Sequence, residues 1–180
     1  MATVWTVGHS TRTLETFVEL LRAHEIMVVA DVRTIPRSRR NPQFNREALP
    51  PSLGAAGIGY VHVAALGGLR RPRPDSINTG WRNASFRGYA DHMQTPEFAA
   101  ALDRLLELAG GDRVTVMCAE AVRWRCHRSL LADALLARGV AVQHIETPTR
   151  AVLHTLTAFA HVEGTRVTYP GSQASLPLDR

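Results

Sequence analysis

The hydrophobic positions change period repeatedly along the chain, and the changes mark out alternating strands and helices. Thr3 to Val7 is an apolar, β-branched run ended by Gly8-His9-Ser10, which predicts a strand. Thr13 then offers a cap for a helix whose apolar residues Leu14, Phe17, Val18 and Leu21 keep a 3.6 period. Ile26 to Val32 is a second apolar run, broken only by Asp31 and closed by Arg33. Continuous apolar runs suit strands covered on both faces. Strand, helix and strand within ~30 residues make a βαβ unit.

The same reading continues to the C-terminus. Asn45 to Ala56 predicts a weak helix around Pro50-Pro51, Tyr60 to Ala64 a third strand, and Phe86 to Met93 a short helix. Thr95-Pro96-Glu97 starts a stronger helix, with Phe98, Leu102, Leu105 and Leu106 as its buried stripe and Gly110-Gly111 as its stop. Val114 to Met117 predicts a strand that ends on Cys118-Ala119-Glu120. Cys126-His127-Arg128-Ser129 opens a helix closed by Gly139, and Val140 to Ile145 is a fifth strand. Pro148 to Ala160 reads as one more helix, Arg166 to Tyr169 as a terminal edge strand, and 170–180 as a flexible tail. The expected fold is α/β: a single domain over 1–169, with an open, mostly parallel sheet of about five strands and flanking helices.

Two stretches resist either period. Thr34 to Phe44 is basic and bounded by prolines, which deny it a helix or an inner strand. Leu66 to Ser85 is rich in Arg, Pro, Gly and Asn. Loops longer than ~12–15 residues are usually functional or disordered, and this one predicts a flap hinged at Gly67-Gly68.

Composition narrows the partners. The net charge is +5 and all of it comes from arginine, because the 180 residues include no lysine. Arginine forks bind phosphate bidentately, so the charge permits a nucleic-acid or phosphate surface without requiring one. No window approaches the ~20 apolar residues of a spanning helix, and the first residues lack a basic, then apolar, leader. No membrane role and a cytoplasmic location are expected, where thiols stay reduced.

Ligands of open α/β sheets bind outside the carboxyl ends of the strands. The groups just past the predicted strands are His9 and Ser10, Asp31 and Arg33, Gly67 and Gly68, Cys118 and Glu120, and His144 and Glu146. Cys126, His127 and Arg128 follow at the start of the next helix, a place that favours thiolates and anions. Cys118, Glu120, Cys126, His127 and His9 are the candidate catalytic residues. Ser10, Asp31, Arg33, Gly67, Gly68, Tyr89 and Arg128 are the candidate substrate-binding residues. The spacing Cys118-x7-Cys126-His127 lies outside the usual zinc pattern, and His9 or His62 would have to complete four ligands. Arg123 and Arg125 miss the Cys-x5-Arg spacing of a phosphatase or sulfurtransferase loop. No cofactor or metal is assigned.

Gly8-His9-Ser10, Asp31-Val32-Arg33 with Pro36 and Ser38, Phe44-Asn45, Gly57-Ile58-x-Tyr60 and Leu66-Gly67-Gly68 occur in that order. Tyr89-Ala90-x-x-Met93 and Cys118-Ala119-Glu120 through Cys126-His127-Arg128 follow. Together they resemble the Domain of Unknown Function 488 family from about residue 4 to residue 146. The resemblance implies the α/β fold and a site at these motifs, and it supplies no reaction.

Two functions fit. One is an enzyme acting on a small anionic or nucleotide-like substrate, with Cys118 or Cys126 as nucleophile or redox thiol and His9 or His127 moving protons. In that reading Glu120 orients a base or an arginine and Arg33 holds the anion. The other is a nucleic-acid-binding or -processing protein whose Arg-rich loops grip phosphates while Trp81 or Trp124 stacks on bases.

Overall fold

The computed structural model describes residues 2–171. A six-stranded sheet in the order β3-β2-β4-β1-β5-β6 forms its centre. Strands β1 (Thr3–Gly8), β2 (Val28–Asp31), β3 (Gly59–His62), β4 (Val114–Cys118) and β5 (Ala141–Thr147) run parallel, and β6 (Arg150–Leu153) pairs antiparallel with β5. The predicted parallel α/β sheet is therefore present, with one strand more than expected.

Helices cover both faces, which is why the inner strands carry continuous apolar runs. On one face α1 (Leu14–Ala23) and α2 (Leu49–Ala55) bury Phe17, Leu20, Leu21, Leu49 and Leu53 against Val7, Val29 and Met117. On the other, α3 (Ala84–His92), α4 (Pro96–Gly111) and α5 (Arg128–Ala137) pack on Val4, Ala30, Val114 and Val116. Each buried Leu or Phe contributes about 1.5–3 kcal/mol relative to exposure. The caps read from sequence are made: Thr13 Oγ1 accepts the Thr16 N–H at 3.1 Å, and Thr95 Oγ1 accepts the Phe98 N–H at 3.2 Å.

The helix expected over Pro148 to Ala160 does not form. Thr147 pairs with Arg150 across a tight Pro148-Thr149 turn, and the chain returns along β5 as β6. His154 then donates from its backbone to Val142 O and turns its ring to Asp133 of α5. Pairing with β5 and a buried polar anchor outweigh a weak helical period. Arg166 to Tyr169 is a strand but not an edge of the main sheet: β8 (Arg166–Thr168) pairs with β7 (His161–Glu163) in a separate two-stranded ribbon. Of the tail expected over 170–180, residues from 172 onward lie outside the described residues.

The long loop after Gly68 is anchored. Asp91 of α3 accepts the Arg73 N–H (2.8 Å), the Ser76 hydroxyl (2.6 Å) and the Asn78 side-chain amide (2.8 Å). The Gly80 N–H donates to Tyr169 O. Only the ends of this segment, Leu69 and Ser85, reach the cavity at the strand ends, so a flap hinged at Gly67-Gly68 is not what the contacts describe.

Candidate functional site

Because β4 lies between β1 and β2, its last residue, Cys118, stands between their ends. The His9 N–H donates to Cys118 O at 2.9 Å, the Ser10 N–H to Ala119 O at 3.0 Å, and the Val32 N–H to Met117 O at 3.0 Å. A Cβ on Gly8 would stand 1.9 Å from Glu120 O, so β1 can end against the turn after β4 only as glycine. A cavity of about 380 Å³ opens over these strand ends. His9, Arg33, Gly68, Cys118, Glu120, Cys126 and His127 line it.

The two thiols meet at its floor. Both cysteines are unbridged and buried, and their sulfurs are 2.9 Å apart. That separation is well beyond the ~2.05 Å of a disulfide and within reach of a shared proton. Burial pushes the Cys118 thiol up, and it retains its proton. Cys126 moves the other way: the hydrogen bond from Cys118 holds it well below the ordinary thiol range. Burial opposes that shift, and His127 and Arg128 reinforce it. The single Cys118 S–H proton has two acceptors in reach, Cys126 Sγ at 2.9 Å and Glu120 O at 3.6 Å, and the opposite acidities of the two thiols favour its donation to the Cys126 sulfur.

Cys126 does not sit in the first turn of a helix. It ends the short 3-10 turn Arg123–Arg125 in an extended conformation, and α5 begins at Arg128 with His127 as its cap. The acidity of Cys126 owes more to its neighbours than to the helix. His127 Nδ1 lies 3.5 Å from Cys126 Sγ, and its Nε2 is buried without a partner among the described residues. Tyr89 packs on the ring at 4.9 Å between centroids, and its hydroxyl donates to Leu66 O.

His9 is held neutral. Burial lowers its pKa to about 4, more than the bond to Ser10 O raises it. Its Nδ1–H donates to Ser10 O at 2.8 Å, so Nε2 faces the Arg33 Nη1 donor at 3.4 Å. The ring stacks on Phe44 with centroids 4.2 Å apart.

Five expected residues stand behind the cavity instead of lining it. Asp31 pairs with Arg33, and Ser10 holds His9 through its carbonyl. Gly67 packs on Thr34, Tyr89 supports His127, and Arg128 turns to a second cavity. Glu120 reaches the rim, but its carboxylate caps the Val122 N–H at 2.9 Å, so it shapes its own loop. Arg33 is likewise committed within the fold.

Sequence reasoning missed Thr34, Ile35, Arg37, Phe86 and Arg125, which also line the cavity. The basic 34–44 stretch was the available signal. Its shape comes from Asn45 Oδ1, which accepts the Ser38 N–H at 2.6 Å, while Ser38 Oγ accepts the Asn41 N–H at 3.0 Å. Arg37 and Arg125 are exposed at the mouth, beside the apolar Ile35 and Leu69. Trp81, a candidate stacking surface for nucleic acid, is packed against Phe86, Phe159 and Tyr169, which leaves Trp124 as the exposed indole of the two.

Among the described residues no group of three His, Cys, Asp or Glu side chains comes together to hold a metal. No helix among them is long and apolar enough to cross a membrane. The family model described as "Domain of unknown function DUF488" matches residues 13–135, more than half of the chain. No curated protein matches. No solved structure matches either.

Proposed function

The chain belongs to the family described as Domain of unknown function DUF488, and from that premise we propose that it is a dithiol enzyme reducing small, negatively charged disulfides. Cys126 attacks and Cys118 resolves. The observation that carries this reading is the 2.9 Å approach of two sulfurs with opposite acidities at the floor of a cavity.

A nucleophilic thiol must be ionised, while the resolving thiol needs its proton until the second step. In the first step the Cys126 thiolate attacks one substrate sulfur. A Cys126–substrate disulfide forms, the substrate S–S bond breaks, and the outer sulfur leaves with the electron pair and takes a proton from solvent. In the second step Cys118 attacks Cys126 Sγ and its proton passes to the departing thiolate. The products are two substrate thiols and a Cys118–Cys126 disulfide. Two electrons have moved from the protein to the substrate, and a dithiol reductant restores the pair. Arg37 and Arg125 at the mouth attract the negative charge, Ile35 and Leu69 cover the carbon skeleton, and neutral His9 adds no competing charge to the floor.

An anionic aryl disulfide whose released thiolate absorbs light tests this. The wild-type chain releases about two equivalents of thiolate and ends with an internal disulfide by mass. Cys118→Ser releases about one and keeps the mixed disulfide, as two-step exchange requires. Cys118→Ala, which has no donor at that position, reacts only at higher pH, because the hydrogen bond that most lowers Cys126 is gone. Cys126→Ser reacts slowly at Cys118. Equal rates in the two serine variants, or a wild-type adduct that never resolves, would overturn the assignment.

A further inference from the structure

We propose that a second cavity, between the ends of β1 and β5 and the turn that follows Glu120, binds a tetrahedral oxyanion of the phosphate class through Arg12 and Arg128. The inference does not rest on the thiol chemistry.

This cavity measures about 190 Å³, and Arg12, Arg123, Arg128, His144 and Glu146 line it. Arg128 is the largest fully buried side chain of the described residues, 1% exposed. Its N–H groups donate to Thr6 Oγ1 (3.1 Å), Glu120 O (2.6 Å) and Ala121 O (3.3 Å), all neutral acceptors, and its Nε has no partner among the described residues. No carboxylate of the described residues pairs with it. Buried charges are ordinarily paired or neutralised, and arginine cannot lose its proton.

Arg12 shares the deficit. It donates to Gly8 O and His9 O and likewise has no carboxylate partner among the described residues. Burial disfavours its charge, and Arg128 stands close enough for the two like charges to oppose each other. Glu146, the acid in the lining, is already shared by Arg123 and Arg150. Three cations against one carboxylate leave the lining at +2.

The other facing group does not alter that balance. His144 is neutral, its pKa lowered to about 3, chiefly by burial, with its neighbours His154, Arg128 and Arg123 acting in the same direction. Its Nδ1 accepts from Thr6, and its Nε2–H donates to His154 Nδ1 at 2.9 Å. His154 in turn donates to Asp133 at 2.8 Å. The negative charge of Asp133 therefore reaches Arg128 only through two imidazoles and a hydroxyl. An oxyanion in the cavity would supply the missing charge directly, and the planar forks of two guanidinium groups match phosphate geometry.

The anion can be free phosphate or the phosphate group of an ester. Trp124 and Arg123 also line a neighbouring cavity of about 330 Å³, and Trp124 is 65% exposed. The organic part of an ester would meet an aromatic face there.

Calorimetric titration of the full chain with inorganic phosphate, and separately with a nucleoside monophosphate, tests the site. Saturable binding is expected, weakened at least tenfold in Arg12→Gln and unchanged in Arg125→Gln, whose side chain lines the thiol cavity instead. In ¹H–¹⁵N spectra of the wild-type arginine Nε–H groups, the buried Arg128 signal moves with phosphate. That readout does not depend on the folding of an Arg128 variant. A monophosphate that binds more tightly than phosphate, with the advantage lost in Trp124→Ala, identifies an ester; equal affinities identify the free oxyanion. Absence of saturable phosphate binding, or binding lost in Arg125→Gln and retained in Arg12→Gln, would overturn the proposal.

Discussion

The Asp31 carboxylate holds the Arg33 guanidinium at both oxygens, 2.9 Å from Nε and 2.7 Å from Nη2, with both side chains buried. Asp31 also accepts the Arg33 N–H at 3.1 Å and the Tyr60 hydroxyl at 2.6 Å. Two further donors of Arg33 go to Phe44 O and His9 Nε2, which leaves one of its five N–H groups at the cavity it lines. One ion pair thus joins the ends of β1 and β2 to β3 and the turn before α2. Through the same guanidinium Arg33 orients His9 at the cavity wall.

Removing one partner of a buried pair strands the other charge, at a cost of about 3–5 kcal/mol. Asp31→Asn is expected to lose that much in urea unfolding. Tyr60→Phe deletes one hydrogen bond and loses about 1–2 kcal/mol. An Asp31→Asn variant no weaker than Tyr60→Phe would show that Arg33 is compensated from elsewhere.

Stability should fall with acidification before the carboxylates titrate. Folded His9 takes up a proton near pH 4, whereas an unfolded histidine does so near 6.5. The unfolded state binds the extra proton across that window, so stability present above pH 6.5 is lost as pH falls toward 4. Each pKa unit is worth about 1.4 kcal/mol, and the loss from His9 between pH 7 and 5 is about 2 kcal/mol. His144, at about 3, acts in the same direction. Urea midpoints measured from pH 7 to 5 should decline, and His9→Gln should flatten the slope. A slope unchanged by the substitution would mean that His9 is protonated at pH 5 in the fold.

The sheet was legible because its strands are continuous apolar runs, and the caps at Thr13 and Thr95 are local devices that sequence records directly. The positions of His9, Cys118 and Cys126 at one edge followed from the rule for parallel sheets. Direction of side chains was not legible. Nothing in the order of residues says that Arg33 turns inward to Asp31, that Glu120 caps Val122, or that Arg128 lines a different cavity from the thiols. β6 was lost for a related reason: its pairing with β5 and the His154–Asp133 bond are long-range contacts that no local period reports.

Asp91 shows how a long loop can be held by one side chain. It is buried and binds Arg73, Ser76 and Asn78. Asp91→Ala leaves those donors without their acceptor, which costs about 1–3 kcal/mol per buried group. The expected result is faster amide exchange at Arg73 and proteolytic nicking between residues 71 and 83, with the core strands still protected. Exchange at Arg73 as slow as in the wild type would mean that other contacts fix the loop.

Gly67 and Gly68 are neighbours that should fail differently. A Cβ on Gly67 would stand 2.3 Å from Thr34 Oγ1, 2.8 Å from Thr34 N and 2.9 Å from Ala64 O. Two of those atoms are backbone, so nothing near can yield. Gly67→Ala is expected to lose about 1–3 kcal/mol, the usual cost of overpacking. A Cβ on Gly68 meets His127 Nδ1 at 3.1 Å, and an imidazole ring can rotate by the few tenths of an ångström required. That nitrogen is the one 3.5 Å from Cys126 Sγ, and His127 helps keep the thiol ionised. Gly68→Ala should therefore stay within about 0.5 kcal/mol of wild-type stability while Cys126 alkylates several-fold more slowly at neutral pH. Urea unfolding reads the first effect and iodoacetamide labelling followed by mass spectrometry reads the second. If Gly68→Ala alkylates like the wild type across pH 5 to 9, His127 does not set the reactivity of Cys126, and the hydrogen bond from Cys118 sustains the thiolate without it.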